Sequence, residues 1–398
     1  MLGSIYVGLS GMDAYSKGLQ TISNNVANMN TNGYKSASVS FSDFYSVGGG
    51  GLTYMGSDRH GSGNGVTVQP PLLQFTSGEL RDSANDLDLA IKGSGFLVLL
   101  DNGTTYYTRT GQFAVGTDGY ISQQDTGYRL AVLDASNKPV AVNVDTKRTY
   151  APAATTKVVF SDNLSSSATT ASVTDIAVYD SRGGKHIWTV TFTKDTSGSV
   201  TDQWAVDVKN ESGAAVGSSG TLHFIGSIAD PSADTITITD TPTGADPLSV
   251  VLDFSSGVTS YSGGTSSTLR ASKVDGNAVG NLTTVGVDTD GQIKLTYSNE
   301  KSSSLGYVAI ADFRDPQQLQ ESGGGLFKNT DDGEMRLLQS GKDGIGSLVS
   351  KKLEGSNVNL ADEFGQLILV QRGFQACSQV LSVSNDMIQQ LFGIRGQQ

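Results

Sequence analysis

Few residues in this chain are able to do chemistry, and none falls in a pattern that chemistry needs. Of the three histidines, His60 lies in a glycine-rich loop, and His186 and His223 fall in two different expected strands. None has a second histidine or a cysteine at metal-ligand spacing, so each reads as a structural residue. The one cysteine, Cys377, falls on the apolar side of an expected helix, where a small buried side chain is a simpler reading than a nucleophile. The acid pairs Asp86/Asp88 and Asp288/Asp290 sit at expected turns and strand edges. DTDG at 288–291 opens like a calcium loop but lacks the glutamate such a loop needs at its last ligand position. GSGNG at 61–65 and GSGF at 93–96 are not followed by helices, and a phosphate cradle requires that helix N-terminus. The residues predict no catalytic constellation, no metal site and no cofactor.

The strongest patterns lie instead at the two ends of the chain. Leu2, Ile5, Leu9, Met12, Tyr15, Leu19, Ile22, Val26 and Met29 recur at gaps of three or four, a stripe as narrow as a coiled-coil seam. Gly8, Gly11 and Gly18 interrupt it, each costing on the order of 1 kcal/mol relative to alanine in a helix interior. A lone helix with that handicap is marginal in water, so the segment needs a partner. Leu360, Phe364, Leu367, Val370, Phe374, Cys377, Leu381, Ile388 and Leu391 form a similar stripe near the other end. Asn357 or Asn359 is the expected N-cap there, Asp362 and Glu363 suit the positive helix end, and Gly393 and Gly396 are stop signals. Two weak helices of like pattern are expected to pair with each other.

Between the helices the period changes to two. Residues 36–77 carry Phe41, Phe44 and Tyr45 among the glycine runs at 48–51 and 61–65, and read as an extended connector. From about 78 to 149, short alternating runs are separated by Asn102-Gly103 and Asp118-Gly119, which are hairpin signals. Residues 150–282 are rich in Ser and Thr and hold several short strands, as in a sandwich or barrel. With 7 basic and 13 acidic residues, that stretch reads as a separate acidic domain. At 283–352 the chain returns to the earlier β domain, making 150–282 an insertion whose ends lie close together. The expected fold is mainly β with terminal α-helices. It is nested: an inner helical coiled-coil domain from 1–35 and 353–398, and two β domains, the outer one inserted in the other.

Composition agrees with a β-rich, loop-rich chain: 49 glycines, 8 prolines and only 17% charged residues in 398. The net charge of −12 argues against nucleic acid or an anionic membrane as partner. A single cysteine excludes an intrachain disulfide. No stretch is apolar enough to span a membrane, and the N-terminus has no basic n-region, h-region or cleavage site of a signal peptide.

Three ordered segments carry a resemblance. SNNVANMNTNGYK at 23–35 resembles the N-terminal motif of the flagellar rod and hook axial family, through Asn24, Asn25, Asn28, Thr31, Gly33, Tyr34 and Lys35. The segment 353–391, beginning LEGSNVNL, resembles its C-terminal motif, through Asn357, Val358, Gln371 and Arg372. NDLDLAIKGSGF and its continuation to residue 121 are similar to the family's β-domain signature. Gly355 departs from the family's usual Ser or Ala, and Gly373 stands beside Phe374. Segments 178–192, 202–208 and 295–313 are similar to the hook branch, since rod members of this type lack a large inserted domain.

The resemblance implies a non-enzymatic structural subunit that polymerises with itself into a curved tube, a universal joint passing torque from rod to filament. It implies contacts with a hook cap protein, a distal rod protein, hook–filament junction proteins and the flagellar type III export apparatus. Export then proceeds to the cell exterior without a cleaved signal peptide. Two other readings remain open here: a distal-rod protein with an inserted β domain, and a secreted β-sandwich adhesin or carbohydrate-binding protein.

Overall fold

The computed structural model describes residues 2–43, 65–197, 201–329 and 334–395. Phe44, Tyr45, His60 and the glycine runs at 48–51 and 61–64 lie outside the described residues, as do the side chains of Leu2 and Leu391. The protein is mainly β, with one long helix near each end: α1 (Leu2–Ala27) and α2 (Leu360–Arg395). The chain divides into two compact units. The first comprises Met1–Thr146, Val285–Lys294 and Ser304–Gln398; the second comprises Lys147–Thr284 and Leu295–Ser303. The paired terminal helices fall in the same unit as the first β region.

In the first unit, the strands of the β framework pair antiparallel. Phe96–Asp101 and Thr104–Thr108 form a hairpin in which Asn102 (φ 44°) and Gly103 (φ 87°) both take positive φ, as a type I′ turn demands. Phe96–Asp101 also pairs with Arg129–Leu133 and with Ile310–Phe313, which brings the returning chain into the same sheet. Asp88–Lys92 lies between Thr110–Val115 and Ser347–Ser350, and Lys352–Glu354 pairs with Leu80–Asp82. The inward residues Phe96, Val98, Tyr107, Phe313 and Phe327 are buried together, and Phe96 meets Phe313 and Phe327 edge to face at 5.7 and 5.8 Å. The expected connector at 36–77 contributes short strands. Ala37–Ser38 pairs with Leu72–Leu73 and Phe41–Asp43 with Val66–Val68, and Phe41 lies 5.3 Å from the Tyr15 ring of α1.

The second unit is a β structure with a core of its own. Strict alternation buries Trp188, Val190 and Phe192 on Lys185–Lys194, Trp204, Val206 and Val208 on Gln203–Asn210, and Leu248, Val250 and Leu252 on Leu248–Asp253. Phe160 stacks on Phe254 at 4.7 Å in its middle. One strand breaks the antiparallel pattern: Lys157–Asn163 runs parallel to Leu248–Asp253 and to Val258–Thr259. Parallel neighbours need long crossovers, which hairpin signals in the sequence do not reveal. The ends of the inserted region lie side by side, with Thr149 opposite Asn281 and Tyr150 opposite Gly280.

Candidate assembly site at the terminal helices

α1 and α2 pack against each other within the first unit. The face of α1 that meets α2 is made of small residues and not of the expected leucines. Gly8, Gly11, Ala14, Gly18, Ile22 and Asn25 are buried, at gaps of three or four. A methyl group on Gly11 would stand 2.5 Å from Cys377 Sγ, and one on Gly373 of α2 would stand 2.4 Å from the Tyr15 ring. Both distances are inside van der Waals contact, so the helix axes approach this closely only because these positions lack side chains.

From α2, Glu363, Val370 and Ser384 are buried on this face. Of the seam residues expected from the sequence, Ile22 is buried; Ile5, Met12, Leu19, Val26, Leu367, Phe374, Leu381 and Ile388 are half-buried. Leu9, Leu360 and Phe364 are exposed. Asn359 is the N-cap of α2, its Oδ1 accepting from the Ala361 N–H at 3.0 Å. Gly393 does not end α2, which runs through it to Arg395.

The turn after α1 is held by side-chain amides. Asn25 uses its full hydrogen-bonding capacity. Its Nδ2 donates to Ala37 O and Glu363 Oε1, both at 2.9 Å, and its Oδ1 accepts from the Ala37 N–H (3.0 Å) and the Tyr34 hydroxyl (3.1 Å). Burial, with Glu321 and Glu363 adding negative charge nearby, pushes the Tyr34 hydroxyl up to about 12. Thr31 Oγ1 donates to Asn28 Oδ1 and Asn28 Nδ2 to Asn24 O, which closes the helix end. Gly33, at φ 72°, donates its N–H to Glu354 O at 2.8 Å. Asn357 accepts from the Ser36 N–H at 2.7 Å and donates to Gln74 O at 2.6 Å, tying both motif segments to the connector. Val358 is half-buried beside it.

Beneath this turn lies a buried ionic cluster. Lys35 Nζ is 2.6 Å from Glu354 Oε1, and Arg109 Nε is 3.2 Å from Glu354 Oε2, with all three side chains essentially out of solvent. Burial lowers the pKa of Lys35 and of Arg109, and the Glu354 carboxylate opposes both shifts. The structure thus gathers Asn25, Gly33, Tyr34, Lys35 and Asn357 into one site. Gln371 and Arg372 are exposed on α2 and take no part in it. Sequence reasoning missed Arg109 and Glu354. The available signal was an arginine flanked by threonines inside an apolar alternating stretch, and a glutamate in the terminal motif.

Four family profiles match in chain order. They are "Flagella basal body rod protein" at residues 5–35, "Flagellar hook protein FlgE/F/G D1 domain" at 90–163, "Flagellar basal body protein FlaE D2 domain" at 143–277 and "Flagellar basal body rod FlgEFG protein C-terminal" at 349–394. Paired terminal helices around β structure, with these matches in this order, define the class of flagellar axial proteins. The flagellar hook protein FlgE of Salmonella typhimurium is 29% identical, over 97% of this chain and 98% of its own length. That of Treponema pallidum is 28% identical, over 99% and 100%. A crystal structure of the Helicobacter pylori flagellar hook protein FlgE2 matches with a TM-score of 0.49 at 14% identity, covering 69% of this chain and all of that one. Over nearly its whole length the chain is similar to flagellar hook proteins.

Proposed function

We propose that this hook subunit assembles through the apolar surface that its paired helices leave uncovered. The observation that carries this reading is the set of large apolar side chains on α2 that remain open to solvent. Leu369 is 71% exposed and Ile368 58%, with Phe364, Val380, Val383 and Met387 also open to solvent. Val380, Val383 and Met387 recur at three and four residues, an exposed stripe that begins at the edge of the α1 contact, where Val380 borders Gly8. On α1, Tyr6, Val7 and Leu9 are exposed as well. Contiguous apolar surface of this extent calls for a cover, and in a homopolymer the cover is another copy of the same helices. Leu9, Leu360 and Phe364 then serve the contact between subunits and not the contact within one.

The polymer is a curved tube that transmits torque from rod to filament while bending. Its other partners are the cap, the distal rod protein and the junction proteins, and it leaves the cell through the type III export apparatus without a cleaved signal. Among the described residues no helix is long and apolar enough to cross a membrane, and no cluster of three or more His, Cys, Asp or Glu side chains is placed to hold a metal ion.

Electron microscopy of the purified, concentrated protein tests the reading, with limited proteolysis before and after assembly. Short curved tubes are expected, with residues 2–27 and 360–395 cut readily in the monomer and protected in the tube. A persistent monomer that binds glycans, or equal protection of both helices in a verified monomer, would sink it.

A further inference from the structure

The two cations on Glu354 have different attachments. Arg109 stands between the strands Thr104–Thr108 and Thr110–Val115, and its remaining N–H groups donate to the carbonyls of Ile91, Gly93 and Gly95. All of those groups belong to the β framework. Lys35 comes from the turn that follows α1 and donates to Thr76 O at 2.8 Å as well as to Glu354. Next to it, Tyr34 donates to Asn25, and Asn25 donates to Glu363 in the first turn of α2. One carboxylate therefore receives a framework cation on Oε2 and a helix-end cation on Oε1, where the Gly78 N–H also donates at 2.8 Å.

We propose that Lys35 is the positioning residue that fixes the helix pair in register on the β framework, with the Arg109–Glu354 pair as its anchor. A desolvated ammonium held by a carboxylate and a carbonyl resists sliding, because any displacement leaves charge buried and unpaired. Both ion pairs are made to Glu354, so neither exists until the framework has closed on its C-terminal strand Lys352–Glu354. The helices thus dock on a finished platform, and the platform sets the angle at which their apolar face is presented. The last consequence rests on the assembly reading above; the positioning role does not.

The charge count selects the variant for the test. Lys35→Met removes the surplus cation and leaves a balanced Arg109–Glu354 pair, whereas Glu354→Gln would strand two buried cations. Hydrogen exchange is measured on the full-length protein, soluble and polymerised. In Lys35→Met the α1 amides that are protected in the wild type exchange at least ~10-fold faster, while amides of Phe96–Asp101 and Thr110–Val115 stay within ~3-fold. Arg109→Met instead accelerates exchange in Asp88–Lys92 and Phe96–Asp101. The concentration needed for polymerisation rises in Lys35→Met with the framework intact. Unchanged α1 exchange in Lys35→Met overturns the proposal, as does equal acceleration of α1 and the framework, which marks a general stability role. So does a wild type whose α1 amides are unprotected in both states. Failure of the wild type to polymerise overturns the assembly reading instead and leaves the exchange comparison to decide the role of Lys35.

Discussion

Glu363 carries a consequence for pH. Its Oε1 accepts from Asn25, while its Oε2 is buried without a hydrogen-bond partner among the described residues. Burial pushes its pKa above 4.5, with Asp362 pushing the same way and the Asn25 hydrogen bond opposing. In the folded state the carboxyl therefore holds its proton to higher pH than in the unfolded chain. The stability it contributes is full below the unfolded pKa and is lost as pH rises through the folded one. Thermal melts of the helical signal are expected to drop over that window. Glu363→Gln, which keeps an acceptor for Asn25, should flatten the drop and raise the midpoint above it; an unchanged pH profile in the variant would contradict this. The sequence marked Asn25, Tyr34, Lys35 and Asn357 through a motif, and Glu363 as an acid suited to a helix start. Its burial against Asn25, 338 residues away, is a tertiary fact.

The helix pair is where local propensity and packing disagree. Alanine for glycine inside a helix gains on the order of 1 kcal/mol when nothing else changes. Gly365 has no neighbour within 4 Å of a methyl group placed there, so Gly365→Ala is expected to raise the helical melting midpoint. Gly373→Ala has the same intrinsic gain but drives a methyl into the Tyr15 ring, and should lower it. Tyr15→Ala added to Gly373→Ala should recover part of the loss, which separates a clash from a backbone effect. If Gly373→Ala stabilised the pair as Gly365→Ala does, the close approach of the helices would be wrong. Periodicity in the sequence revealed two helices in need of cover. It assigned the leucine stripe to the seam because hydrophobicity is the only signal a periodic count weighs, and close approach through glycine carries none. The departure at Gly373 thus reads as a packing requirement.

At the scale of the molecule, the second unit has its own core and its own closure. Trp188, Trp204, Phe160 and Phe254 are fully buried, and its entry and exit strands pair at Tyr150 and Gly280. Removing 150–282 alone would strip cover from Leu295 and Tyr297, which are buried within this unit, Tyr297 beside Tyr150 at 5.2 Å. A deletion that also replaces 295–303 with a tight turn is therefore the cleaner variant. It is expected to be exported and to polymerise, because the helices and their ionic anchor lie in the other unit. Its tubes should be straighter and stiffer by electron microscopy if the Ser/Thr-rich surface of the second unit is what lets subunits slide. Freely bending tubes from the deleted chain would refute that account of bending.

The sequence by itself determined the two terminal helices, the alternating strands with their Asn-Gly turn at 102–103, and the insertion near 150–282. Each of these is written in local periodicity and turn chemistry, which act over a few residues. Only the tertiary structure decided that glycines of α1 let α2 approach closely, and that Lys157–Asn163 runs parallel to Leu248–Asp253. It alone brought Lys35, Arg109 and Glu354 onto one buried carboxylate. Those features depend on groups tens to hundreds of residues apart. Their energies come from desolvation and close approach, which exist only once the chain has closed on itself.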